Sequence, residues 1–351
     1  MKVGIVLPNW IGDVVMATPT LRSLRRHFGP NAHLIGVMRP YVQRVLEGTD
    51  WLDQVILYDR RATNRSHRLW GVARQLRAER LDHLVLLPNS VSSAWLGWLS
   101  GARQRWGHAS FGRTWMLNQR VPMDRHQEPG RLRSTVDHYL MVAAALGCPP
   151  EPKRLELATG AADERVAQEI WDRLGLQQAG RIVLLNTGGA FGPAKDWPHE
   201  YWIGLAQRIV DHHVAAVLVL CGPKEREAVR AIAIGARRRN VFSMADEDLS
   251  LGVAKACIRR ADLMVTTDSG PRHIAAAFSI ATVSLFGPID PAIGYNYHAD
   301  DVMLYANVPC RPCGKPVCPL GHHACMKELT VDQVYRSVKE KLTAVRWRAV
   351  S

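Results

Sequence analysis

No apolar run in this chain reaches the roughly 18 residues that a membrane-spanning helix requires. The longest, Val214 to Cys221 and Ile274 to Phe286, fall short, and polar residues interrupt the second. No transmembrane helix is expected. Low-complexity stretches are absent too, and 47% hydrophobic with 22% charged residues is the balance of a chain that folds throughout. Two phosphate-loop signatures are missing. There is neither Walker spacing nor a clean G-x-G-x-x-G, which argues against a P-loop ATPase and a nicotinamide-dependent dehydrogenase. Carboxylates do not cluster, so no magnesium cage and no catalytic metal are expected. Lysine is nearly absent from the first 150 residues, where Lys2 alone among 20 basic residues is not an arginine. The opening strand, Val3–Leu7, runs into a loop with no small-residue cleavage site, so the chain reads as cytoplasmic.

What is present fits two domains. A length of 351 residues accommodates two compact units of about 150 to 180 residues each. The net charge of +13 is unevenly spread: residues 1–150 hold 20 basic and 10 acidic side chains, residues 151–351 hold 25 and 22. Arginine presents a planar fork that grips two oxygens of a phosphate or carboxylate, so an arginine-rich half points to an anionic partner or surface.

The first half alternates strand and helix patterns, with strands at Val3–Leu7, His33–Met38, Gln54–Tyr58 and His83–Leu87, the βαβ rhythm of a parallel sheet. Val14, Ala17, Leu21, Leu24 and Phe28 recur at helical spacing, which predicts one sheet-packed helix with Arg22, Arg25 and Arg26 on its solvent side. The Pro-rich stretch from Gly147 to Pro152 marks a linker. A second βαβ series follows, with strands at Arg181–Asn186, Ala215–Cys221, Leu263–Thr267 and Thr282–Phe286. Domains are thus expected at 1–152 and 153–330, with a helical segment at 331–351 packing back across the boundary.

Three strand-to-helix loops carry chemistry, because doubly wound sheets bind ligands at their carboxyl edge. In the first, Gly12 allows a close turn, and Asp13 is either a helix N-cap or a carboxylate facing a crevice, the cap being favoured on residue chemistry alone. In the second, the Gly-rich stretch Thr187 to Gly192 precedes Lys195. It reads equally as a phosphate cradle or as a plain flexible connection. In the third, Asp268 or Ser269 caps a helix whose free N–H groups form an anion site, with His273 one turn inside. The Leu220–Glu225 loop repeats this topology, and Glu225 could accept from ribose hydroxyls. Cys310, Cys313, Cys318 and Cys325, with His322 and His323 between them, have a spacing compatible with tetrahedral zinc.

Taken together these segments resemble the heptosyltransferases of lipopolysaccharide core assembly, glycosyltransferase family 9, and among them the heptosyltransferase II type. The resemblance runs along nearly the whole chain. It is carried by Asn9-Trp10-Ile11-Gly12-Asp13, Met16-Ala17-Thr18-Pro19, Leu87-Pro88-Asn89-Ser90, Gly192-Pro193-Ala194-Lys195-Asp196-Trp197-Pro198 and, most specifically, Thr267-Asp268-Ser269-Gly270-Pro271-Arg272-His273 leading to Leu285-Phe286-Gly287-Pro288. Ser269 stands where the family usually has Thr, and Arg272 where it often has Met. The resemblance implies an α/β GT-B fold, two Rossmann-like doubly wound domains facing across a cleft, that moves heptose with inversion from ADP-heptose to an inner-core acceptor. It makes Asp13 the general base and Thr187, Gly188, Lys195, Glu225, Asp268, Ser269, Gly270 and His273 the donor contacts. For an anionic, lipid-linked saccharide acceptor the candidates are Gly12, Arg60, Arg61, Asn89, Ser90, Arg113 and Arg133, with peripheral contact at the inner face of the membrane. No cofactor is required for catalysis, and zinc would be structural. A basic nucleic-acid-binding protein with a zinc module is the alternative from another class; two βαβ halves match no common nucleic-acid module, so no nucleic acid is expected. A related enzyme using another nucleotide sugar is the alternative within the class.

Overall fold

The computed structural model describes residues 1–110, 112–122, 134–247 and 249–344. The chain divides into two units, Met1–Ala158 with Tyr295–Tyr297, and Thr159–Gly294 with His298–Ser351.

Unit 1 runs β1 (Lys2–Val6), α1 (Ile11–Met16), α2 (Thr18–Phe28), β2 (His33–Met38), α3 (Pro40–Gln43), β3 (Gln54–Leu57), α4 (Leu69–Glu79), β4 (His83–Leu86), α5 (Val91–Leu99), β5 (Gln104–His108), β6 (Gln119–Val121) and α6 (Thr135–Ala145). Its six strands are parallel, in the order β3-β2-β1-β4-β5-β6. The central strands read as unbroken apolar runs because helices cover a parallel sheet on both faces. Val3, Ile5, Leu34, Ile35, Leu84 and Val85 are accordingly buried.

Unit 2 runs α7 (Ala161–Arg173), β7 (Ile182–Asn186), α8 (His199–His212), β8 (Ala216–Leu220), α9 (Arg226–Ala236), β9 (Val241–Ser243), α10 (Leu251–Arg259), β10 (Leu263–Thr267), α11 (Gly270–Ala277), β11 (Ala281–Phe286), β12 (Asp301–Tyr305), α12 (Ala324–Lys327) and α13 (Val331–Ala344). Its order, β12-β11-β10-β7-β8-β9, is that of unit 1 read from the opposite edge. α13 packs on α8 of the same unit, and Val334, Val338 and Leu342 enter its core beside Trp197 and Trp202.

Two sequence expectations need correction. The single helix over Val14–Phe28 is two, because Pro19 in the first turn of α2 has no N–H to offer the Val15 carbonyl. The Thr18 hydroxyl takes that carbonyl instead, at 2.7 Å. Nor does Arg22 face solvent. It is buried, its Nε donating to Glu151 at 3.1 Å, Nη1 to Glu156 at 3.0 Å and to the Arg154 carbonyl, and Nη2 to the Pro152 carbonyl at 2.6 Å. The proline-rich stretch has no regular element of its own, so its carbonyls lie free to accept from one guanidinium. Burial raises the Glu151 pKa, but Arg26 and Arg22 outweigh it and hold the carboxyl below its usual range.

Removing one member of a buried ion network strands the others, which typically costs 3–5 kcal/mol. Arg22→Ala is expected to destabilise unit 1 by about 3 kcal/mol. Denaturant unfolding of the full chain with an unchanged midpoint would show that the network contributes nothing.

Candidate functional site

In each unit the strand order reverses next to one strand pair, β1/β4 in unit 1 and β7/β10 in unit 2. Loops leaving such a pair depart to opposite faces and open a crevice at the carboxyl ends of the strands.

In unit 1 the loop after β1 ends at Trp10, which occupies the N-cap of α1 without a side-chain cap bond. Asp13 therefore lies inside the first turn and is not the cap, contrary to the reading from residue chemistry. Its carboxylate, with burial the larger cause, pushes the Tyr139 phenol well above its usual pKa. Gly12 is half-buried beside it. Around the neighbouring strand ends a cavity of about 130 Å³ is lined by Asn9, Arg39, Tyr58, Arg60, Ser90 and Ser93, among others. Arg60 and Arg61 are exposed in the turn after β3. Asn89 donates to His138 Nε2 at 2.6 Å, and Ser90 is the N-cap of α5, accepting from the Ser93 N–H at 3.1 Å. His138 stacks on His108 at 3.7 Å between centroids, and burial, with the nearby His108 and Arg113, brings its pKa down to about 4, leaving it neutral.

Arg113 is fully buried beneath this loop and donates from Nη1 to the Pro88 carbonyl at 2.6 Å. Burial lowers its pKa to about 10, and its Nε and Nη2 have no partner among the described residues. Arg133 lies outside the described residues. Arg39 and Tyr58 escaped the sequence reading, although each directly follows a strand, β2 and β3, by the same rule that selected Arg60. The Tyr58 hydroxyl is buried in this wall without a partner among the described residues.

In unit 2 the loops after β7, β8 and β10 converge. Asn186, the last residue of β7, ties the first of these to the third: its Nδ2 donates to Ser269 Oγ at 2.9 Å, Thr266 Oγ1 at 3.0 Å and the Gly188 carbonyl at 3.2 Å. A polar residue closing an apolar strand was the signal for it, and the sequence reading passed over it. The Glu225 carboxylate accepts from the Gly222 N–H at 2.8 Å and lies so close to Gly188 that a Cβ there would stand 1.8 Å from Oε1. Only glycine fits. Thr187 is half-buried at the same strand end, and Gly270 opens α11. Lys195 donates to Asp268 Oδ2 at 2.6 Å and to the Asp268 carbonyl at 2.7 Å. Burial pushes the Asp268 carboxyl up, and the positive charges of Lys195 and Arg272 together bring it below its usual range. His273 is buried, and desolvation takes its pKa down to about 3, so its ring is neutral.

A family model, "Glycosyltransferase family 9 (heptosyltransferase)", matches residues 69–324. The chain belongs to this family. The enzyme is 25% identical over 350 residues to lipooligosaccharide heptosyltransferase 2 of Campylobacter jejuni serotype O:6, covering 98% of this chain and 100% of that one. Its fold is shared by the glycosyl transferase family 9 protein from Veillonella parvula, at TM-score 0.85 and 23% identity with 98% of each chain covered. The E. coli ADP-heptose lps heptosyltransferase II gives TM-score 0.78 at 22% identity, covering 98% of this chain and 99% of that one. The α/β class of two Rossmann-like domains, the GT-B type, is thus the fold found.

Cys310, Cys313, Cys318 and Cys325 gather around one cavity of about 20 Å³ with His322. Backbone N–H groups, first that of His323, lower the Cys318 pKa. Among the described residues, no three His, Cys, Asp or Glu side chains stand so as to hold a metal ion. As arranged, the thiols are not a complete ligand set.

Arg272 braces the unit 2 site from behind Asp268. Its Nε and Nη2 donate to Asp301 at 3.1 and 2.6 Å, Nε to Ser284 at 3.0 Å, and Nη1 to the Gly294 carbonyl at 2.7 Å, 3.7 Å from Asp268 Oδ1. Arg272→Met leaves the buried Asp301 unpaired and is expected to cost about 3–5 kcal/mol, whereas Arg272→Met/Asp301→Asn recovers most of that loss. Thermal and denaturant unfolding check this; a double variant as unstable as the single one would rule out the ion pair as the cause.

Proposed function

We propose that this enzyme transfers heptose from ADP-heptose, with inversion, to a hydroxyl of the lipopolysaccharide inner core. The names of its relatives support the donor and the acceptor. The observation that carries the reading is the convergence of Gly188, Glu225, Lys195, Asp268 and the start of α11 at one strand-end crevice of unit 2. That crevice has the parts a nucleoside diphosphate needs. Glycine lets the ligand approach the backbone, Glu225 can accept from ribose hydroxyls, and the free N–H groups at Ser269 and Gly270 meet phosphate oxygens. Thr187 and the neutral His273 complete the donor contacts.

Lys195 supplies the mobile charge. As the glycosidic bond to the diphosphate breaks, negative charge grows on the leaving oxygen, and an ammonium placed there stabilises the transition state more than the bound donor. Moving toward the diphosphate takes Lys195 from Asp268, and Arg272, 3.7 Å away on the other side and paired with Asp301, then offsets that carboxylate only in part. In unit 1, Asp13 removes the acceptor proton as the sugar carbon becomes oxocarbenium-like. Gly12, Arg60, Arg61, Asn89, Ser90, Arg113 and Arg133 recognise the anionic acceptor, Arg113 with donors to spare. Arg39 and Tyr58 of the unit 1 cavity join them. The acceptor is lipid-linked, so the enzyme works in the cytoplasm against the inner membrane surface. Among the described residues no helix is long and apolar enough to cross a membrane.

No step of this reaction passes through a metal. The cysteine cluster is read as a structural zinc site on its spacing and on four thiols around one cavity; no three of the described side chains stand so as to share an ion, so a metal would have to draw the thiols together. Elemental analysis of enzyme purified without chelators is expected to give one zinc or iron per chain. Four titratable thiols and no metal would end that reading.

For catalysis, Asp13→Asn keeps the side chain's shape and removes its basicity. It is expected to lower kcat by at least about 100-fold with donor affinity intact. Lys195→Ala is expected to weaken ADP-heptose binding and lower kcat together. Calorimetric titration with ADP-heptose and steady-state turnover separate the two effects. Near-parental turnover by Asp13→Asn would remove Asp13 from the role of base.

A further inference from the structure

Unit 1 exposes three indole rings in one place. Trp95 of α5 packs half-buried against the core of the sheet. Trp98, 45% exposed, stacks on it at 5.3 Å between ring centroids, and Trp115, 60% exposed, meets both at 6.2 Å edge-on. Val91, on the first turn of the same helix, is 51% exposed. Single exposed apolar side chains are ordinary; a contiguous group braced on the core marks a contact surface.

The segment that carries the patch is basic. From His83 to Val121 the chain has four arginines and neither lysine nor acidic residue. Arg105 borders the rings, its Nε donating at 2.9 Å to the carbonyl of Met116, the residue after Trp115. Arg103, nearby in sequence, is 82% exposed and only loosely paired with Asp82 at 3.7 Å.

We propose that Trp95, Trp98 and Trp115 dock the enzyme on an anionic phospholipid surface. Indole combines an apolar body with one N–H and settles at the depth of lipid headgroups, and bordering arginines are attracted to anionic lipid. A second copy of the chain is the poorer occupant, since a symmetric contact would set arginines against arginines. The proposal deepens the preceding reading, from which the lipid-linked acceptor is taken, and supplies the surface by which the enzyme meets it.

The test uses the full chain and Trp98→Ser/Trp115→Ser, which leaves the half-buried Trp95 in place. Cosedimentation with phosphatidylglycerol/phosphatidylcholine vesicles is compared with phosphatidylcholine alone, and light scattering records the oligomeric state. The parent is expected to bind the anionic vesicles and to lose tryptophan emission to brominated lipid. The variant is expected to bind them about tenfold less well, with unchanged turnover on a delipidated, water-soluble acceptor. Equal vesicle binding by parent and variant overturns the proposal, as does a variant that changes oligomeric state while still sedimenting with vesicles. A parent that binds vesicles but turns over no ADP-heptose counts against the proposed reaction and leaves the docking surface standing.

Discussion

A parallel sheet whose strand order reverses must send the two loops flanking the reversal to opposite faces, and the backbone groups at those strand ends then have no neighbouring loop to bond. This chain meets the constraint twice, at β1/β4 and at β7/β10. Every described side chain given a chemical role in donor or acceptor recognition stands in or under a loop at a strand's carboxyl end, or on the helix that follows. Asp13 follows β1, Asn89 follows β4, Asn186 closes β7 and Asp268 follows β10. The topology fixes where chemistry can occur; the loops fix which chemistry.

Within that frame, buried charge divides scaffold from site. Three of the buried arginines differ in how far they are satisfied. Arg22 meets two carboxylates and two carbonyls, and Arg272 meets Asp301, Ser284 and a carbonyl. Both guanidiniums are matched, so each fastens segments distant in sequence. Arg113 makes one bond through Nη1, and among the described residues its Nε and Nη2 make none. A buried cation with unused donors favours a nearby anion, which suits the arginine-rich half to an anionic acceptor.

On the proposed reading, the donor machinery is held quiet until the donor arrives. Lys195 is tied to Asp268, and Asp268 is shared with Arg272, so the buried charges balance in the free protein. An incoming diphosphate that draws Lys195 away leaves Arg272 shared between Asp268 and Asp301, so the leftover negative charge favours the return of Lys195 once the diphosphate has gone.

By itself the sequence determined the strand runs and their order of appearance, because parallel strands covered on both faces must be apolar throughout. It also determined the three strand-to-helix loops with Asp13, Lys195 and Asp268. Strands β5, β6, β9 and β12 were not legible: β6 and β9 have three residues each, β5 is the polar stretch Gln104–His108, and β12 is three apolar residues between Asp301 and Tyr305, so none carries enough period to stand apart from loops. The burial of Arg22 was not legible either, since an arginine on a helix reads as solvated until Glu151 and Glu156 arrive from more than a hundred residues away. Likewise the sequence left the loop with Gly188 open between a phosphate cradle and a flexible link, and only the tertiary structure lays the Glu225 carboxylate against it. Local pattern encodes each element because it depends on neighbours in the chain. The pairing of charges and the closeness of loops depend on neighbours in space, which only the folded units bring together.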